Sequence, residues 1–109
     1  MTVKSINRVV LGSVLGLLIA APVFASGAGE DTYNKVCKTC HGPGVMGAPK
    51  LGDKADWAAR AGQGMATLED HAIKGFKGAK GFMPPKGGRS SLTDDEVKAA
   101  VAYMVNNSK

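Results

Sequence analysis

Both cysteines of this chain lie inside one pentapeptide, Cys37-Lys38-Thr39-Cys40-His41. Two cysteines allow one disulfide at most, which excludes a disulfide-dense scaffold. Yet a chain of 109 residues with 6% aromatics and 15 glycines has few large side chains from which to build a core, so it calls for a staple of another kind. Cys-x-x-Cys-His is the attachment signature of c-type haem. On a helical turn, Cys37 and Cys40 at i and i+3 point the same way, and their thiols can add across the two haem vinyl groups as thioethers. His41 follows at once, so its imidazole reaches the iron from the same side. Two other uses of the motif fit less well. A thioredoxin-like redox pair sits at a helix N-terminus after a strand, where the dipole lowers a thiol pKa; here the pair closes a helix with no strand before it. A zinc site needs a fourth ligand and a second cluster, and His71 is the single further candidate. The expected staple is one covalently bound haem c.

The first 25 residues read as a secretory leader. Lys4 and Arg8 form a basic start, Val9 to Ala21 is uncharged, Pro22 breaks the run, and Val23 and Ala25 place small side chains ahead of Ser26. A membrane anchor needs about 20 apolar residues, and Val9–Ala25 supplies 17, so cleavage after Ala25 is expected, with residues 26–109 as one exported, periplasmic domain. Loss of Lys4 and Arg8 lowers the net charge from +5 to +3. That charge, without aromatic-basic interleaving or a recognition motif, points away from nucleic acid, and no stable membrane insertion is expected.

The remaining chain reads as all-α, with four short helices. Glu30–His41 carries Tyr33, Val36, Cys37 and Cys40 on one stripe and ends at Gly42-Pro43-Gly44. Residues 42–52 form a Gly/Pro loop. Asp53 caps a short helix to about Ala61. Met65–Lys74 places Met65, Leu68 and Ala72 on one face. Residues 75–92 are rich in Gly, Lys and Pro, and such a long connection in so small a domain points to a functional loop. In the last helix, Thr93 and Glu96 form a capping box, Leu92 and Val97 a hydrophobic staple, and Val97, Ala100, Val101, Met104 and Val105 the buried stripe. Strand alternation is absent.

A haem iron with one histidine needs a second axial ligand or an open site. The candidates are Met46, Met65, Met83, Met104 and His71. Met46 is too near His41 to wrap round the haem, Met65 and Met104 sit on apolar helix faces, and His71 reads as a solvated helix residue. Met83, in Gly81-Phe82-Met83-Pro84-Pro85 on the long loop, is favoured because the prolines stiffen the backbone beyond it. His/Met ligation fills both axial sites, which suits electron transfer rather than oxygen chemistry. His41 should give its other ring N–H to a backbone carbonyl, and Pro49 is the candidate. Trp57 and Arg60, three apart on one helix, are proposed to reach the haem edge, with the indole N–H and the guanidinium as propionate donors. Lys74, Lys77, Lys80, Lys86 and Arg89 lie between Asp70 and Asp94, around the Met83 loop, with no acid among them, a basic rim that would steer the protein toward acidic docking surfaces of redox partners.

Taken together, Cys37-Lys38-Thr39-Cys40-His41, Gly47-Ala48-Pro49-Lys50, Gly52-Asp53 with Trp57 and Arg60, Met83-Pro84-Pro85-Lys86-Gly87 and Asp94–Val101 resemble bacterial cytochrome c5, within the class I c-type cytochromes. The resemblance covers about residues 30–105. It implies a monohaem four-helix fold, His41 and Met83 as axial ligands, the Pro49 carbonyl on the proximal histidine, and service as a single-electron carrier between respiratory complexes rather than as an enzyme. Relatives of this type often carry a second cysteine pair before the last helix, where this chain has Arg89 and Leu92. Two alternative functions stand beside this one: a haem enzyme or gas sensor with a labile sixth ligand, and a thiol-disulfide oxidoreductase using Cys37 and Cys40.

Overall fold

The computed structural model describes residues 27–109; the leader expected over residues 1–25 lies outside them. The first helix begins at Gly27, whose φ of 89° turns the chain into α1, Ala28–Thr32, with Glu30 and Asp31 in its positive first turn. It runs through a wider π-helical turn, Tyr33–Cys37, into α2, Lys38–His41, without a break in right-handed backbone. The wide turn ends at Cys37, the first residue of the Cys-x-x-Cys-His motif, and such bulges are frequent at functional sites. Tyr33 is buried, but Val36, Cys37 and Cys40 on the same stripe are half-buried. Gly42 ends the helix, and a 3-10 turn follows at Val45–Gly47.

In the next helix, α3, Lys54–Ala61, the Asp53 carboxylate accepts the Asp56 backbone N–H at 3.2 Å. Then α4, Met65–Lys74, buries Leu68 and Ala72. Met65, expected on the same buried face, is 37% exposed instead, because it opens the helix at its first turn. The expected structureless stretch 75–92 is partly ordered: β1, Phe76–Gly78, pairs antiparallel with β2, Gly81–Met83, in the register Phe76↔Met83, Lys77↔Phe82 and Gly78↔Gly81. Three-residue arms are too short to display a period of two, so the sequence pattern hid them.

Beyond the hairpin, Pro85–Gly88 make a 3-10 turn. Successive turns then close where Gly87 N–H reaches the Pro84 carbonyl, Arg89 N–H that of Lys86, and Leu92 N–H that of Arg89, at 3.1 to 3.2 Å. These bonds shape the segment that carries Arg89 and Leu92.

The last helix, α5, Asp94–Asn106, carries the expected capping box: Thr93 Oγ1 accepts the Glu96 N–H at 3.1 Å and Glu96 Oε1 accepts the Thr93 N–H at 3.0 Å. Val97, Ala100, Val101, Met104 and Val105 are buried, and α5 packs against both α1 and α4. At Gly29 a Cβ would collide with the Ala99 carbonyl, so α1 and α5 meet backbone to backbone. The Tyr33 and Tyr103 rings extend that contact at 5.4 Å. Among the described residues no helix is long and apolar enough to cross a membrane.

Candidate functional site

The helices leave one side of the core open. A cleft of about 260 Å³ is lined by Cys37, Cys40 and His41 from the first helix, Pro49 from the following loop, Trp57 and Arg60 from α3, Leu68, His71 and Ala72 from α4, Phe76, Phe82 and Met83 from the hairpin, and Val101 and Met104 from α5. Every stretch of sequence with a candidate functional residue therefore contributes to one wall or another. The cleft reaches the buried Val101 and Met104 of the core, and its concave, apolar lining is what a flat prosthetic group requires.

His41 is buried, and its Nδ1 lies 2.9 Å from the Pro49 carbonyl. A carbonyl can only accept, so Nδ1 carries the hydrogen and Nε2 keeps its lone pair. Burial pushes the His41 imidazolium below its ordinary range; the Pro49 bond opposes this in part, and the Arg60 charge adds to it. The ring is therefore neutral at pH 7, the protonation state in which histidine ligates a metal. Pro49 is itself buried, and the Leu51 N–H bonds the His41 carbonyl at 2.9 Å, so histidine and loop hold each other in register.

Cys37 and Cys40 are half-buried and form no disulfide. Burial pushes the Cys37 thiol up to about 11, with its own backbone bond lowering it and Cys40 raising it further. That shift is opposite to the one an attacking redox cysteine needs. Among the described residues, no three His, Cys, Asp or Glu side chains converge as a metal-binding group, so the zinc alternative lacks its ligand set.

Met83 is half-buried and packs against the hydrophobic core at the end of β2. Its backbone is held by the register with Phe76 on one side and by Pro84 on the other. Of the other ligand candidates, Met46 is 56% exposed, at the rim. His71, read as a solvated helix residue, is instead half-buried, lines the cleft and stacks on Phe76 with centroids 4.3 Å apart; the hairpin that brings Phe76 over it has no sequence signal.

Trp57 and Arg60 line the cleft, but their donors are partly engaged. The Trp57 indole N–H donates to the Lys50 carbonyl at 2.9 Å, so it is not free for a propionate. Burial of the indole required that partner. Arg60 pairs with Asp56 at 3.0 Å and reaches the Gly47 carbonyl at 3.4 Å, leaving part of its guanidinium fork unengaged. The basic rim is also thinner than the sequence suggests: Lys74 pairs with Asp70 at 2.8 Å and Lys86 with Asp94 at 3.0 Å. Lys80 is the member of that group that lines the cleft. The rim carries exposed apolar side chains as well, Val45, Met46, Phe76 and Phe82.

Two glycines join the hairpin to the loop after His41 without an obvious sequence signal. A Cβ on Gly81 would strike the Met46 carbonyl, and one on Gly47 the Lys80 carbonyl. The hairpin tip thus rests backbone to backbone on the 3-10 turn that follows His41.

The comparisons agree with this geometry. A family model described as cytochrome C oxidase, cbb3-type, subunit III matches residues 25–104. The chain is 53% identical over 107 residues to cytochrome c-555 of Chlorobaculum tepidum, covering 94% of this chain and 99% of that protein. It is 40% identical over 79 residues to cytochrome c5 of Azotobacter vinelandii, covering 71% and 90%. A solved structure described as an electron transfer complex of nitrite reductase with cytochrome c matches with a TM-score of 0.66 and 44% identity, over 75% of this chain and 95% of that one. The apolar cleft, the Cys-x-x-Cys-His helix and these relatives lead to one assignment: the chain belongs to the class I c-type cytochromes and takes one covalently bound haem c.

Proposed function

We propose that the protein is a periplasmic carrier of single electrons between respiratory redox proteins. Cys37 and Cys40 would hold the haem as thioethers, and His41 and Met83 would be its axial ligands. The haem supplies the one-electron couple; the protein supplies everything that keeps it reversible. The observation that carries the reading is the convergence of Cys37, Cys40, His41 and Met83, from two separate elements, on one apolar cleft. The Pro49 carbonyl orients His41 and fixes its tautomer. The hairpin register and the prolines hold Met83, and a ligand held on both sides of the chain changes little between two oxidation states. Apolar walls from Leu68, Val101 and Met104 keep water away, which favours a raised potential. With His41 and Met83 both given to the iron, the haem would offer a one-electron couple and no site for a substrate.

The partners are redox proteins; the solved relative is one bound to nitrite reductase. Acidic docking surfaces on the partner are inferred from Lys77, Lys80 and Arg89, which none of the salt bridges among the described residues engages. The protein from a periplasmic extract should have the intact mass of residues 26–109 plus one haem. It should show a low-spin reduced c-type spectrum and the weak ferric charge-transfer band of Met–iron bonding, lost in Met83→Ala. A high-spin spectrum, or rapid carbon monoxide binding by the native ferrous form, would sink the carrier reading in favour of a gas sensor or haem enzyme.

A further inference from the structure

Lys86 belongs to the basic stretch that the sequence assigns to partner steering, yet its charge is turned inward. Its ammonium donates to the Leu92 carbonyl at 2.7 Å and pairs with the Asp94 carboxylate at 3.0 Å. The side chain is 21% exposed, against 74% for Lys74 in its surface pair with Asp70. The backbone of Lys86 is left-handed, with φ 53° and ψ 32°. A residue with a Cβ adopts that conformation at a cost and keeps it when its surroundings hold it.

The position of these bonds gives them a consequence. Lys86 follows Met83 by three residues. The hairpin holds Met83 from the N-terminal side, through the register with Phe76. Pro84 and Pro85 have no N–H with which to continue the ladder. Leu92 immediately precedes the Thr93 cap, and Asp94 lies in the first turn of α5, the helix whose buried stripe anchors the core. The Lys86 ammonium therefore joins the chain just beyond Met83 to the start of that helix.

We infer that Lys86 is a positioning residue that braces the Met83–Gly88 segment against α5 and so keeps the Met83 side chain in the cleft. The inference rests on the reading of Met83 as the sixth ligand. Without the ammonium, the Leu92 carbonyl and the Asp94 carboxylate turn to water, and the left-handed turn is free to relax. Met83 then leaves the iron more readily, while Cys37, Cys40 and His41 are undisturbed.

The test uses the holoprotein, with Lys86→Met and the milder Asp94→Asn. Two quantities are read: the temperature at which the ferric Met–iron band disappears, and the affinity of the ferric protein for added imidazole, which binds where methionine has left. In Lys86→Met the band should be lost at a lower temperature, and imidazole should bind roughly tenfold more tightly, as expected for removal of a half-buried charged hydrogen bond. Asp94→Asn should move both in the same direction by less. Native values of both in Lys86→Met, with an altered ionic-strength dependence of electron transfer, would assign Lys86 to steering and overturn the inference. If Lys86→Met does not fold, native values in Asp94→Asn overturn it. The native ferric spectrum is recorded first: absence of the band there would refute Met83 as ligand, and the brace with it, before any variant is made.

Discussion

A single hydroxyl, that of Ser108, joins the end of the chain to the loop behind the cleft. It is buried, donates to the Met104 carbonyl at 2.6 Å and accepts the Gly52 N–H at 2.8 Å. Met104 lines the cleft, and Gly52 precedes the cap of α3. In Ser108→Ala the part-buried Gly52 N–H loses its acceptor and the Met104 carbonyl loses the Ser108 hydroxyl, so the variant should be less stable by about 1 kcal/mol. Urea denaturation of native and variant holoprotein measures this; an unchanged midpoint would show that water replaces the hydroxyl at no cost. The same scale explains the site. The Pro49 carbonyl decides which His41 nitrogen holds a proton, and the Lys50 carbonyl removes the Trp57 N–H from the set of propionate donors.

At the scale of elements, α5 is the part whose sequence and structure agree most closely, because its determinants are local. Thr93, Glu96, Leu92 and Val97 all lie within six residues, and each acts through its neighbours. The Glu96 carboxyl is held below its usual range, first by the Thr93 backbone N–H and then by the Thr93 hydroxyl, with smaller help from Lys35 and Lys86. A folded pKa below the unfolded one contributes stability that is present above the ordinary carboxylate range and is lost as pH falls through the folded value. The thermal midpoint of native protein should therefore fall more steeply under acid than that of Glu96→Gln, which keeps the cap but does not titrate. Parallel acid profiles would show that the charge of Glu96 contributes nothing. Thr93→Ala should cost about 1 kcal/mol at neutral pH by thermal melting. The hairpin is the contrary case: its arms are three residues long, and its closest packing is through Gly47 and Gly81, which offer no pattern to read.

At the scale of the whole molecule, charge and core both depend on what the chain surrounds. The five cations between Asp70 and Asp94 suggested a basic rim, but those two carboxylates turn back to pair with Lys74 and Lys86. What remains for steering is centred on Lys80 beside the cleft. Electron transfer to a redox partner should slow as ionic strength rises, and Lys80→Gln should lower the low-salt rate roughly twofold while matching native protein at high salt. Stopped-flow rates over a salt series test this; a flat profile for native protein would leave association to the apolar rim of Val45, Met46 and Phe82.

The sequence alone marked the four helical stretches, the caps at Asp53 and Thr93, and the residues proposed to hold the haem. Those features arise within a few residues of each other: the spacing of Cys37, Cys40 and His41, the periodicity of α4 and α5, the cap at Thr93. A small chain poor in aromatics, with its two cysteines in one pentapeptide, also implied that a cofactor must complete the core. Only the tertiary structure decided what distant parts do to one another. It turned His71 toward the cleft under Phe76, set the hairpin on the loop after His41 through two glycines, gave the Trp57 N–H to the Lys50 carbonyl, and drew Lys86 from the surface to α5. Each of those depends on a partner whose position follows from how the elements pack, and linear sequence carries no direct signal of that.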